Sequence, residues 1–197
     1  EVRGIGRERR KLIKSAWAEQ KIVREIMVFL HSNGVSTSRA VRIYKTYGDE
    51  SVDKVRANPY LLARDIPGIG FKTADTIAAK IGIPVGSIMR AKAGLLHTLA
   101  EGGNQGHCAL PRALLLANAH QLLDMDEGIL QSALKVMLEE GDVVEDPVTE
   151  HDLIYLPPMR QAEHTIASVM VALSRKASIY PAIDTDKALP WLQDKVG

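Results

Sequence analysis

The sequence predicts a mainly α fold: short helices joined by glycine turns, followed by a small unit of helices and one β-hairpin. Three observations carry this expectation. Apolar residues recur at helical spacing through most of the 197 residues. A glycine-turn frame repeats at intervals of 30 and 34 residues, as a supersecondary repeat does. Charge divides sharply: residues 1–92 hold 18 Lys+Arg and 9 Asp+Glu, whereas residues 93–197 hold 7 and 15. Net charges of +9 and −8 suggest a basic part that meets a polyanion and an acidic part that does not.

Each element has its own signal. Ile22, Val23, Ile26, Met27 and Leu30 mark a helix that stops at Asn33-Gly34. Ala40, Val41, Ile43 and Tyr44 mark a second, stopped near Gly48. Val52 and Val55 lie on a third, ending before Asn58-Pro59 because the residue before a proline disfavours helix. Tyr60 to Arg64 makes a turn or two more. Lys72 to Ile81 is helical and closes at Gly82 and Pro84. Beyond Gly86 the texture changes. Ile88, Ala91, Leu95, Leu96 and Leu99 form one stripe, and residues 102–106 read as a loop. Pro111 suits the first turn of a helix carrying Leu114, Leu115 and Leu122. Ile129, Leu130, Ala133, Leu134, Met137 and Leu138 make an amphipathic helix stopped by Gly141. Val143-Val144 and Leu153 to Leu156 read as two short strands, the second broken by Pro157-Pro158. Ala162, Ile166, Val169, Met170 and Leu173 make a last helix. Three helices and then a hairpin are the order of a winged-helix-like unit.

Composition narrows the function classes. Hydrophobic residues are 46% and charged residues 25%, ordinary for a folded chain. No apolar run approaches 18 residues, so no membrane partner is expected. No secretory leader opens the chain, and the single Cys108 excludes an internal disulfide; a cytoplasmic setting follows as the simplest expectation. Six histidines have no zinc-type spacing with Cys108, and the acidic stretch from Glu139 to Asp146 supplies no matched ligand set, so no metal site is expected. Only 5% of residues are Phe, Trp or Tyr, which argues against a platform for stacking bases. Trp17 and Trp191 read as core residues. The start at Glu1 and the end at Gly197 read as those of a piece cut from a longer protein.

The stretch from Ile66 to Ile77, Ile-Pro-Gly-Ile-Gly-Phe-Lys-Thr-Ala-Asp-Thr-Ile, is the most informative. Gly68 and Gly70 permit a tight turn between helices, Ile69 can tuck between them, and Ala74 lets them approach closely. The second helix then begins with unpaired N–H groups at the positive end of its dipole, which suits an anion. Gly34-Val35-Ser36 repeats this frame, with Ala40 and Ile43 matching Ala74 and Ile77. Gly4-Ile5-Gly6 opens a third copy whose first helix is missing.

These residues resemble the helix-hairpin-helix family, whose hairpins bind nucleic-acid phosphates without reading bases. The resemblance implies tandem helix-hairpin-helix units over 1–86; the order of elements adds a winged-helix-like domain over 87–160, with a helix and linker over 161–197. It implies phosphate contacts from Gly68, Ile69, Gly70, Phe71, Lys72 and Thr73. Gly34, Val35 and Ser36 would repeat the role with Ser38 and Arg39, and Gly4 and Gly6 with Arg7 and Arg9. A wider resemblance rests on Arg24 to Leu30, Ala40 to Gly48, Asn58-Pro59-Tyr60, Ile69 to Asp75, Gly106-His107, Leu110-Pro111 and Tyr155 to Pro158. Those segments look like the region before the motor in long-form bacterial RecD-like (RecD/TraA family) DNA helicases. The resemblance implies an accessory region of an ATP-dependent 5′–3′ helicase serving repair or recombination. Its implied partners are single-stranded or junction DNA and the motor of the same polypeptide.

The phosphate loop Gly-x-x-x-x-Gly-Lys-Ser/Thr is absent from the 197 residues, so no catalytic residue and no cofactor is expected here. ATP and magnesium belong to the motor that the resemblance implies. The alternative is a helical protein-interaction scaffold whose hairpins only pack; salt-dependent DNA binding separates the two. A glycosylase reading lacks its acid: between Thr76 and Leu123 there is no aspartate, and Glu101 is the only carboxylate. Glu139 and Glu140, with Glu145, Asp146, Glu150 and Asp152 of the β-hairpin loop, would repel DNA, so the winged-helix-like unit is expected to pack against the motor or another domain.

Overall fold

The computed structural model describes residues 7–146, 152–176 and 184–196. The fold is mainly α with one small antiparallel sheet. Five helices come first: α1 (Arg7–Ser32), α2 (Thr37–Tyr47), α3 (Ser51–Ala57), α4 (Leu61–Asp65) and α5 (Phe71–Ile81). They are followed by α6 (Ile88–Asn104), β1 (Ala109–Pro111), α7 (Arg112–Leu123), α8 (Glu127–Glu140), β2 (Val144–Asp146) and β3 (Leu153–Tyr155). The strands lie in the order β1-β3-β2, with Leu110 and Glu145 both opposite Ile154. By contacts the chain forms two units, Glu1–Pro157 and Pro158–Gly197. The second contains α9 (Pro157–Ser174), apart from its first residue, and α10 (Thr185–Val196).

Two cores lie inside the first unit. One gathers Ile26, Leu30, Val35, Ala40, Ile43, Leu62, Ile66, Ile69 and Ile77 from α1 to α5. The other is built around Leu95, Leu99, Leu115, Leu130, Leu134, Met137 and Ile154, with Phe71, Ala74 and Ala78 of α5 at its margin. Helix α5 therefore serves both cores, with Ile77 on one side and Ala78 on the other. Each fully buried Leu or Ile contributes about 1.5–3 kcal/mol, so α5 is held from two directions. Gly86, where the sequence suggests a division, lies where the chain leaves α5 for α6, within the first unit.

Several expectations need correction. Residues 102–104 are helical rather than a loop. Gly102 is buried under Leu110, whose side chain lies 3.2 Å from where a Cβ would stand, so packing on β1 extends α6 by nearly a turn. Pro111 ends β1 and precedes α7 instead of occupying its first turn. Trp191 is 63% exposed on α10 rather than in a core, and Trp17 lies on the part of α1 whose side chains are not described. The pairing of β1 with β3 could not be read from Leu110-Pro111, because only a partner 44 residues away makes that short segment a strand.

Candidate nucleic-acid interface

The two complete hairpins are α1–turn–α2 and α4–turn–α5. In the first turn, Val35 N–H donates to Leu30 O at 2.9 Å, and in the second Ile69 N–H donates to Ile66 O at 3.1 Å. Both apolar residues are buried, as are Ala40 and Ala74 at the helix approach and Ile43 and Ile77 one turn later. The repeated frame is thus a repeated structure. Gly34 and Gly68 stand at φ +83° and +82°, the left-handed region that disfavours a side chain. Gly70 has φ −94° and ψ 175°, ordinary extended backbone at the N-cap of α5. Ser36 has the matching N-cap conformation, φ −69° and ψ 156°. A serine therefore replaces the second glycine without distorting the turn, and serine is a favoured residue there.

The N–H groups of Gly70, Phe71 and Lys72 have no hydrogen-bond partner among the described residues. Nor do those of Ser36, Thr37, Ser38 and Arg39. By contrast, the N–H groups of Gly34, Val35, Ile69 and Thr73 are already bonded within the turns. The side chains of Val35, Ile69 and Phe71 are buried, those of Ser38 and Lys72 exposed, and that of Arg39 half-buried. Gly4 and Gly6 lie outside the described residues. Arg7 begins α1, its side chain not described, and Arg9 is exposed on that helix.

Two cations escaped the sequence reading. Arg42 of α2 donates through Nη1 to Pro67 O at 2.9 Å, so the first hairpin clasps the turn of the second. Lys80 of α5 does the reverse: a Cβ at Gly34 would collide with its ammonium. Each turn therefore carries a cation from the other hairpin. Both residues lie beyond the first turn of their helices, where a motif reading does not look; Arg42 falls two residues after Ala40 and Lys80 six after Ala74, so no shared spacing announces them.

Charge pairing differs between the cations beside these turns and those of α6 to α8. Arg39, Arg42, Lys72 and Lys80 have no carboxylate partner among the described residues. Further along, Arg90 pairs with Asp75, Lys92 with Glu140 and Asp142, Arg112 with Glu145, and Lys135 with Glu139. Within the basic part, Tyr47 Oη donates to Asp65 Oδ2 at 2.8 Å, joining the ends of α2 and α4. Burial and that hydrogen bond both push the Tyr47 hydroxyl well above its ordinary pKa, so it stays protonated as the donor.

Comparison with known proteins agrees with this geometry. Residues 19–109 match the model of the helix-hairpin-helix domain of ATP-dependent RecD2 DNA helicases. The ATP-dependent RecD2 DNA helicase of Deinococcus radiodurans is 26% identical over 200 aligned residues, covering 96% of this chain and 28% of that protein. The matched segment starts within α1, contains both hairpin turns and ends in β1. Over residues 19–109 the chain is thus similar to the helix-hairpin-helix domain of RecD2 DNA helicases, in sequence as in the geometry of its two turns.

Proposed function

We propose that this chain is the accessory region of an ATP-dependent 5′–3′ DNA helicase and binds the DNA backbone without reading sequence. The observation that carries this reading is the pair of hairpin turns. Their helix starts offer unpartnered N–H groups beside Arg39, Arg42, Lys72 and Lys80, none of which has a carboxylate partner among the described residues. Backbone N–H groups and unneutralised cations suit phosphate oxygens, which carry no sequence information.

The remainder takes a supporting role in this reading. Residues 1–86 engage single-stranded or junction DNA. Residues 87–160 form a winged-helix-like unit that packs against protein, since its 11 Asp+Glu against 5 Lys+Arg leave an acidic excess that would repel a duplex. Residues 161–197 lead to the motor of the same polypeptide, where ATP and magnesium act. Support for that contact comes from α9, on which Ile166, Val169, Met170 and Leu173 are all more than half exposed. No helix among the described residues is long and apolar enough to cross a membrane. Work in the cytoplasm, in repair or recombination, completes the proposal.

Fluorescence anisotropy with unrelated oligonucleotides over a salt series tests it. Affinity should fall steeply with salt and vary little with sequence. Lys72→Ala should remove about one phosphate contact and make the log–log salt slope shallower by just under one unit. Lys135→Ala, on the acidic part, should leave the slope unchanged. Binding that ignores salt, or a Lys72→Ala slope equal to the parent's, would favour the scaffold reading.

A further inference from the structure

A groove of about 280 Å³ runs between α6 and α7. Its position relative to the second hairpin is fixed by an aromatic column. Tyr60 stacks on Phe71 with ring centroids 6.0 Å apart, and Phe71 stacks on His97 at 5.1 Å with an interplanar angle of 13°. Phe71 is the first residue of α5, directly after the turn, and is buried. His97 ends the column: one face rests on Phe71, and its remaining surface helps line the groove.

The lining specifies a chemistry. Leu114 and Leu122 form an apolar wall; Glu101, His107 and Asn118 supply polar groups. Among the described residues neither lysine nor arginine lines it, so it is unsuited to a phosphate or a carboxylate. Small-ligand pockets range from about 300 to 1,000 Å³, so this space suits a single flat group better than a whole nucleotide. An apolar body with a polar edge, able to stack on a ring, describes a nucleobase. Glu101 adds discrimination. Its Oε1 accepts from Asn104 Nδ2 at 3.0 Å, and Oε2 has no partner among the described residues. A carboxylate accepts from an exocyclic amine, which cytosine, adenine and guanine carry and thymine lacks.

We propose that this groove takes one unpaired base of a single strand whose backbone passes the second hairpin, preferring an amino-bearing base to thymine. This inference rests on the phosphate-binding reading above. It also revises the expectation drawn from aromatic content. A single ring suffices for one base, and a count of Phe, Trp and Tyr omits histidine.

The test compares oligo(dC), oligo(dT) and an abasic strand with equal phosphate number, titrated against the full 197-residue chain by anisotropy at fixed salt. Oligo(dC) should bind about tenfold tighter than the abasic strand, the scale of one base stacked on a ring. A 2-aminopurine placed in the strand should be quenched on binding. Leu114→Glu changes a side chain that is 47% exposed, so the fold should survive. It should abolish both the quenching and the advantage of oligo(dC) over the abasic strand, while the abasic strand keeps its parent salt slope. His97→Ala should do the same and His97→Phe should restore stacking. Glu101→Gln should bring oligo(dC) and oligo(dT) to equal affinity. Equal binding of oligo(dC) and the abasic strand, or undiminished quenching in Leu114→Glu, overturns the base site alone. Failure of the parent to bind all three strands overturns the phosphate reading and the base site together.

Discussion

Gly68→Val should destabilise the chain by about 1–3 kcal/mol, toward the upper end because a β-branched residue is placed at φ +82°. The same substitution should weaken DNA binding about tenfold or more in molecules that remain folded. Two effects combine. A left-handed residue cannot keep that conformation cheaply once it has a branched side chain. A Cβ at position 68 would also stand 2.9 Å from Arg42 Nη1, displacing the guanidinium from Pro67 O. The turn then loses the clasp that aims the start of α5, and a hydrogen bond to a charged group is worth about 1.5–3 kcal/mol. Gly70→Ser is the contrast. Its backbone is extended, nothing lies within 4 Å of the new Cβ, and Ser36 already occupies the matching place in the first turn. Its stability should stay within about 0.5 kcal/mol of the parent, as for most surface changes. Urea denaturation of both variants decides the matter, and equal midpoints for Gly68→Val and the parent would refute the assigned strain.

The hairpins were legible because their causes are local. Gly68, Ile69, Ala74 and Ile77 lie within ten residues, and the same spacing from Gly34 to Ile43 announced the second copy. Burial of Val35 with Ile69, and of Ala40 with Ala74, follows from that frame. Sequence treats the two glycines of the turn alike, however, and only the backbone angles show that Gly68 needs its freedom whereas Gly70 does not. Charge was legible as a count but not as pairing. Arg42 and Arg90 look equivalent in sequence, yet one reaches a turn carbonyl 25 residues away and the other neutralises Asp75. His97 carries no signal at all without the ring of Phe71 beneath it. In each case the missing information is a contact between segments far apart in the chain, which neither periodicity nor turn chemistry encodes.

Removing Arg90 should have the largest effect on stability. Its Nε and Nη2 hold the two oxygens of Asp75 at 2.8 and 2.9 Å, while Nη1 reaches Leu123 O at 3.0 Å. Tyr60 Oη adds a bond to Asp75 Oδ1 at 2.7 Å. One guanidinium therefore ties α5, and with it the second hairpin, to α6 and the end of α7. The side chains of Arg90 and Asp75 are 14% and 24% exposed, so water replaces a lost partner poorly. Arg90→Met should cost about 3 kcal/mol, the lower end for breaking a buried pair by removing one member. Asp75→Leu combined with Arg90→Met should recover part of that loss, because no charge is then left unpaired. Acid provides an independent readout. Burial alone would raise the pKa of Asp75, but the hydrogen bonds from Arg90 and Tyr60 outweigh it and hold the carboxyl below its ordinary value. A carboxyl depressed in the folded state contributes stability that is fully present above its unfolded pKa, about 4, and is lost as pH falls through the folded value. Urea midpoints for the parent and Asp75→Asn should thus differ most near neutrality and converge below about pH 4. A gap that stayed constant down to pH 3 would show that the Asp75 carboxylate is not what holds the two cores together.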